Sequence, residues 1–255
     1  MTPHERLEQS TWDLFYLPSG VAVIDRPELL ALQSERPVDY LNAVYRVRAK
    51  PKRLPVLIEE VGAFHSDVES RWHVADTFDT QPLEMHLAEQ GYAATQAHDA
   101  RVIAVDSFVA KATSNVVVRR IVDEETLRDC WKVAEEAFGT ARNYTDDDAA
   151  LELSQCAPSD AKVQRFVAYE GEVPVCSGGM SCFPALGFAL LWAGGTVPSA
   201  RGRGAYSAVV AARMARAAQR NLDFVGLYAR EDSSSPIVGA QGFSKVGRMS
   251  YWVRS

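Results

Sequence analysis

The stretch GGTVPSARGRGAYSAVV, residues 194–210, decides how this chain is read. Gly194 and Gly195 close an apolar, strand-like run, GFALLWA, and Pro198 stops its pairing. Arg201-Gly202-Arg203-Gly204 then opens an alanine-rich helical pattern. Glycine at the end of a strand marks a bulge or a close approach by another backbone or a ligand. The first turn of a helix carries unpaired N–H groups at the positive end of its dipole. Without Cβ atoms in the way, a diphosphate can reach such amides, and two arginines can add charge-assisted hydrogen bonds. A plain turn with solvated arginines fits the spacing equally well.

The flanking sequence supplies the elements around the loop. NVVVRRI (115–121) reads as a strand. Between 123 and 138, Leu127, Cys130, Trp131, Ala134 and Phe138 recur at helical spacing, with Asp123 suited to the start and Gly139 to the end. A second helix is expected over 144–156, with Thr145 as N-cap. Residues 164–197 hold three strand-like runs, separated by Glu170-Gly171-Glu172 and by Pro184–Gly187. Turns that short imply antiparallel neighbours. Next come a helix over 203–220 with Asn221 as a left-handed cap, and a strand over 222–229. A short helix over 234–242 and a final strand pair over 243–253 complete the series. A parallel crossover is needed only around the 203–220 helix. The order predicts an α+β (mixed α/β) fold, with a mixed, mostly antiparallel sheet flanked by helices.

The first half repeats the late part of this order. GVAVID and LNAVYRVRA read as strands, LPVLIEEVGAFHS as a helix, RWHVADTF as a strand, PLEMHLAEQGY as a helix and ARVIAVD as a strand. LAEQGY (87–92) mirrors VGAQGF (238–243). Together these predict a diverged internal duplication, with its junction in DSFVAKATSN (106–115) and domains over 1–110 and 111–255.

Composition removes several function classes. The 255 residues, 47% hydrophobic and 24% charged, fit a globular protein with room for two small domains. A net charge of −6 argues against a general nucleic-acid binder. The four cysteines form no C-x-x-C pair, so no metal site is expected, and reduced thiols in a cytoplasmic protein are. The N-terminal MTPHERLEQSTWD is no signal peptide, and no apolar run is long enough to span a membrane. The 194–210 loop has no Gly-Lys-Ser/Thr, which excludes a P-loop. Ser207 stands where a Rossmann fingerprint needs glycine or alanine, and Asp223 begins a strand instead of ending one.

TVPSARGRGAY (196–206) resembles motif A of the GNAT acyltransferases, R/Q-x-x-G-x-G/A, and SPIVGAQGFSKVG is similar to their following helix and strand. The resemblance covers roughly residues 113–255. It implies the GNAT acyl-CoA N-acyltransferase fold, with acetyl-CoA as cosubstrate. It places the diphosphate on Arg201, Gly202, Arg203, Gly204, Ala205, Tyr206 and Ser207, and the pantetheine along Gly194, Gly195, Thr196 and Val197. Tyr206 departs from the motif, which has Gly or Ala at its sixth position. The equivalent loop of the first half, VRAKPKRLPVLI (47–58), has no glycine and reads as a solvated turn in a degenerate copy.

Transfer to an amine needs a neutral nucleophile, donors for the thioester oxygen, and a proton for the thiolate. Strand amides near Gly195–Val197 can serve as the donors. The tyrosine that the family often places five residues before its Gly-Phe phenylalanine is Val238 here, and the glutamate on the preceding strand is Gly226. All five histidines lie in the first half. Tyr228 and Tyr206 remain as catalytic phenols, although a strand tyrosine is more often packing. Glu231, Asp232, Cys176, Cys182 and the acidic NYTDDDA are weaker candidates, and Arg213, Arg216 and Arg220 read as one solvated helix face. The expected function is acetyl transfer to the primary amine of a small molecule or peptide by direct attack on the thioester, with no nucleic-acid or membrane partner. The alternatives are a non-catalytic acyl-CoA-binding regulator and, less well supported, a transferase using aminoacyl-tRNA.

Overall fold

The computed structural model describes residues 1–13, 17, 20–35, 39–111, 115–139 and 144–254. Its elements are α1 (Pro3–Gln9), β1 (Ala22–Arg26), β2 (Leu29–Gln33), β3 (Ala43–Tyr45), α2 (Leu54–Phe64), β4 (Ser70–Ala75), α3 (Gln81–Glu89) and β5 (Ala93–Ala104). They continue with β6 (Val117–Arg120), α4 (Glu124–Phe138), α5 (Asp146–Cys156), β7 (Val163–Glu170), β8 (Val173–Phe183) and β9 (Phe188–Thr196). The last are α6 (Ala205–Gln219), β10 (Phe224–Arg230), α7 (Ser234–Gly239) and β11 (Ser244–Arg254). The chain forms two compact units.

The first unit takes Met1–Arg101, Tyr228–Pro236 and Lys245–Ser255. β1, β2 and β3 pair antiparallel, and β3 runs parallel to β4 across the α2 crossover. One sheet face buries Leu29, Ala31, Val44, Trp72 and Val74 against Leu57 and Ile58 of α2 and Leu83 of α3. The other face carries Leu30, Leu32, Ala43 and Tyr45, with Trp12 and Leu17 packed on them. α1 opens with a capping box, in which Thr2 and Glu5 exchange backbone-to-side-chain hydrogen bonds.

The second unit takes Val102–Leu227 and Ile237–Ser244. Its strands lie in the order β10-β9-β8-β7-β6. β6 to β9 pair antiparallel, and β10 joins β9 in parallel after the α6 crossover. Asp123 caps α4 by accepting from the Thr126 amide at 2.9 Å, and Gly139 ends it at φ 69°. Thr145 caps α5 in a second capping box, with Asp148. The sheet, with its mixed and mostly antiparallel pairing, is as the sequence predicts.

The duplicated hexapeptides take one geometry. In the first unit the Tyr92 amide donates to Leu87 O at 2.9 Å, with Gly91 at φ 81°. In the second the Phe243 amide donates to Val238 O at 3.3 Å, with Gly242 at φ 97°. Only glycine adopts that conformation without strain.

Other expectations are corrected. Residues 243–253 form one strand, not a pair, because Gly247 is no turn. The His4 ring of α1 occupies the place of its side chain. β11 pairs antiparallel with β4, from Met249 opposite Ala75 to Arg254 opposite Ser70, so it belongs to the first unit and a cut at 110 does not separate the two units. Trp252 explains the choice: it lies opposite Trp72 and packs on the core beneath α2 and α3. α1 and β2 went unread. Residues 112–114 of the expected junction, and Asn143 of the acidic stretch, lie outside the described residues.

Candidate functional site

The 194–210 loop lies wholly in the second unit. β9 and β10 pair only at Phe188–Leu190 against Phe224–Gly226. β10 stays in the second unit as far as Leu227, and the β9 edge from Leu191 to Thr196 is left without β10 as a ladder partner. On its other edge β9 stays paired with β8 as far as Thr196, with an irregularity where Ser177 faces Gly195 and Gly179 faces Trp192. Ala193, at φ 47°, sits in that bulge.

Both glycines make room for the protein's own rings. A Cβ on Gly194 would lie 2.8 Å from Cε2 of Tyr206, and one on Gly195 would lie 2.9 Å from Phe138 of α4. Successive strand residues point to opposite faces, so α6 and α4 cover the two sides of the bulge. The faces are thus filled, and past Leu190 the edge of β9 is not paired with β10.

Tyr206, unplaced by the sequence, packs beneath the bulge beside Arg213. Arg213 is 1% exposed, which overturns the solvated face expected for it. Its guanidinium donates to Gly179 O at 3.1 Å and to Val209 O at 3.2 Å. Gly178 is bare for the same reason, since a Cβ there would meet Nη1 at 3.0 Å. Burial pushes the Tyr206 phenol up, against the pull of Arg213, so it stays protonated.

The glycines further on serve the helix start. Gly202 adopts φ 78° with open space around it, and Gly204 is the N-cap of α6 at φ 90°. No side chain caps the helix, and the first backbone bond back is that of Ala208 to Gly204 O. The amides of Ala205, Tyr206 and Ser207 therefore stand at an uncapped helix start with glycine at the entrance, an arrangement that fits a diphosphate. The arginines are engaged otherwise. Arg201 donates to Thr196 O at 3.2 Å, and Arg203 pairs with Glu170 at 3.1 Å.

Tyr228 belongs to the first unit, where its hydroxyl is buried without a hydrogen-bond partner. Burial, then Glu8, Tyr251 and Asp76, raise its pKa far above the ordinary phenol value. Cys176 and Cys182 are buried, and burial pushes Cys176 up to about 11, so neither is a ready thiolate. Asp232 pairs with Arg230, Glu231 with Lys245, and Asp146 with Arg128. The 47–58 turn is not merely solvated: Arg48 pairs with Glu8, and Arg53 with Glu28 and Glu60.

No protein-family model matches the chain, and no curated protein matches it. Solved structures do. A GCN5-related N-acetyltransferase from Kribbella flavida superposes with a TM-score of 0.72 at 15% identity, over 92% of this chain and 89% of that one. One from Sphaerobacter thermophilus gives 0.66 at 17%, over 92% and 75%. A tandem GNAT protein from the clavulanic acid biosynthesis pathway gives 0.63 at 13%, over 97% and 87%. The chain has the GNAT fold.

Proposed function

We propose that the protein is an acyltransferase that moves the acetyl group of acetyl-CoA to a primary amine. The observation that carries this is the uncapped, glycine-fronted first turn of α6, set beside the point where β9 and β10 part. On this proposal the amides of Gly202 to Ser207 hold the diphosphate, and the free edge of Gly194, Gly195, Thr196 and Val197 takes the pantetheine as an added strand. Acetyl-CoA, when bound, supplies the activated acyl group. Amides along that edge orient the thioester and donate to its oxygen as charge develops. The amine nitrogen forms the new C–N bond, the C–S bond breaks, and the proton lost by the amine passes through water to the thiolate. Four free, buried thiols suit a reducing compartment, in keeping with a cytoplasmic protein. No helix among the described residues is long and apolar enough to cross a membrane.

The alternative, an acyl-CoA-binding regulator without turnover, draws on Val238 and Gly226, which leave the family's usual acid and base positions without a titratable group. Purified protein mixed with acetyl-CoA and a panel of amines and peptides separates the two. Acceptor-dependent release of free thiol supports the enzyme. Tight CoA binding with no release on any acceptor supports the regulator, and no CoA binding removes both.

A further inference from the structure

β3 and β4 run parallel across the α2 crossover, but their ladder ends with Val44 opposite Trp72. Past that pair the two chains part, each into a connection that starts a helix, α2 or α3. Folds with parallel strands take their ligands in the crevice beyond the carboxyl ends of those strands. Here the crevice holds a cavity of about 250 Å³. Val47 after β3, Leu54 at the start of α2 and Leu83 of α3 line its inner wall, each at most 3% exposed. Ala49 and Phe78, partly buried, line it further out, and Pro51 and Asp79 are exposed at its mouth.

The walls are apolar but for one group. A closed apolar cavity of about 150 Å³ takes benzene, so this one has room for an aromatic ring with a short arm. An anion finds few donors there. Pro55 and Pro82, in the first turns of α2 and α3, carry no N–H. The Leu54 amide is spent on Pro51 O, and the Gln81 amide donates to Asp79 Oδ1 at 3.2 Å. The glycines that front α6 have no counterpart in residues 46–53 or 76–80.

The one charged side chain on the walls is Asp79. It accepts from the Gln81 amide and forms no ion pair among the described residues. Nearby cations are committed elsewhere or stand off the walls. Arg48 lies 4.8 Å over the Phe78 ring and pairs with Glu8 at 2.6 Å, and Arg53 pairs with Glu28 at 3.3 Å. Lys50 and Lys52 are exposed and do not line the cavity, so solvent screens them. An unpaired carboxylate at the mouth of an apolar chamber complements a cation on an apolar body. We infer that this cavity binds an arylalkyl primary ammonium ion, its ring against Val47, Leu54 and Leu83 and its ammonium on Asp79. The inference stands apart from the acyl-transfer proposal, since it concerns the first unit alone and needs no acyl-CoA.

Phenethylamine, 2-phenylethanol and 3-phenylpropionate carry one ring on a cationic, a neutral and an anionic head. Their binding to the full chain at neutral pH, read by saturation-transfer NMR and calorimetry, tests the inference. Phenethylamine should bind with a Kd of about 1 mM or below, and the other two at least about tenfold more weakly. Asp79→Asn keeps an acceptor for the Gln81 amide, and should weaken phenethylamine about tenfold while leaving 2-phenylethanol unchanged. Ala49→Leu fills the chamber and should abolish phenethylamine binding, with thermal denaturation showing that the variant still folds. Glu172→Gln, which removes an exposed carboxylate of the second unit, should change nothing. No phenethylamine binding at about 10 mM overturns the inference. So does equal or tighter binding of the carboxylate, or phenethylamine binding indifferent to either cavity variant.

Discussion

The Tyr206 ring occupies the space that a side chain on Gly194 would need, 2.8 Å from the position of its Cβ. Gly194→Ala should therefore cost about 1–3 kcal/mol, as overpacking does. In a Tyr206→Ala background the same change should cost much less. A double-mutant cycle from urea denaturation checks the coupling. Additive losses would mean that the bulge, not the ring, demands glycine.

Ser207 stands in the first turn of α6, half-buried. A carboxylate there should please the helix and offend a diphosphate. Ser207→Asp is expected to raise stability by about 0.3–1 kcal/mol through the dipole, and to weaken CoA at least about tenfold. Thermal denaturation and calorimetry read the two effects separately. Stability and CoA affinity rising together would remove the α6 turn as the diphosphate site.

Acid should erode the fold from near neutral pH. His73 is held neutral down to about 3, against 6.5 for a free imidazole. Between those values the unfolded chain binds a proton that the folded one does not, so stability falls as the pH falls. One such group gives a slope of about 1.4 kcal/mol per pH unit. Burial lowers His4, His65 and His98 as well and steepens the loss. Urea midpoints from pH 7 to pH 4 should show this, and His73→Phe should flatten the curve.

Placement of β11 can be read by hydrogen exchange. Amides over Met249–Arg254 should exchange with those of β4, their register partner, and not with those of β7 and β8. Destabilising the first unit, for example with Trp72→Ala, should release β4 and β11 together.

The second half was legible because its signals are local. Asp123, Thr145 and Gly139 mark helix ends through their own chemistry, and the change from helical to strand period falls at short turns. β2 escaped because LLALQ is buried on both faces and so shows no alternation. α1 carries a local signal, Thr2-Pro3 with Glu5 three residues after the cap, but its seven residues are too few to show a helical period. The loop glycines were legible as a need for space. What fills that space was not, because Phe138 comes from an element more than fifty residues earlier, and Tyr206 and Arg213 turn back onto the strand only through the packing of α6. Arg213 reads as surface from its helix alone, and only the bare Gly178 and Gly194 on facing strands admit it to the interior.

The position of β11 also sets a timetable. β4 takes residues 249–254 as a neighbour, yet those residues are made after every part of the second unit. During synthesis the earlier unit must wait with an exposed strand edge, while the later one can already close its meander from β6 to β9. The first unit is thereby completed last, and the nascent chain has the most need of a chaperone while the β4 edge still lacks its β11 neighbour.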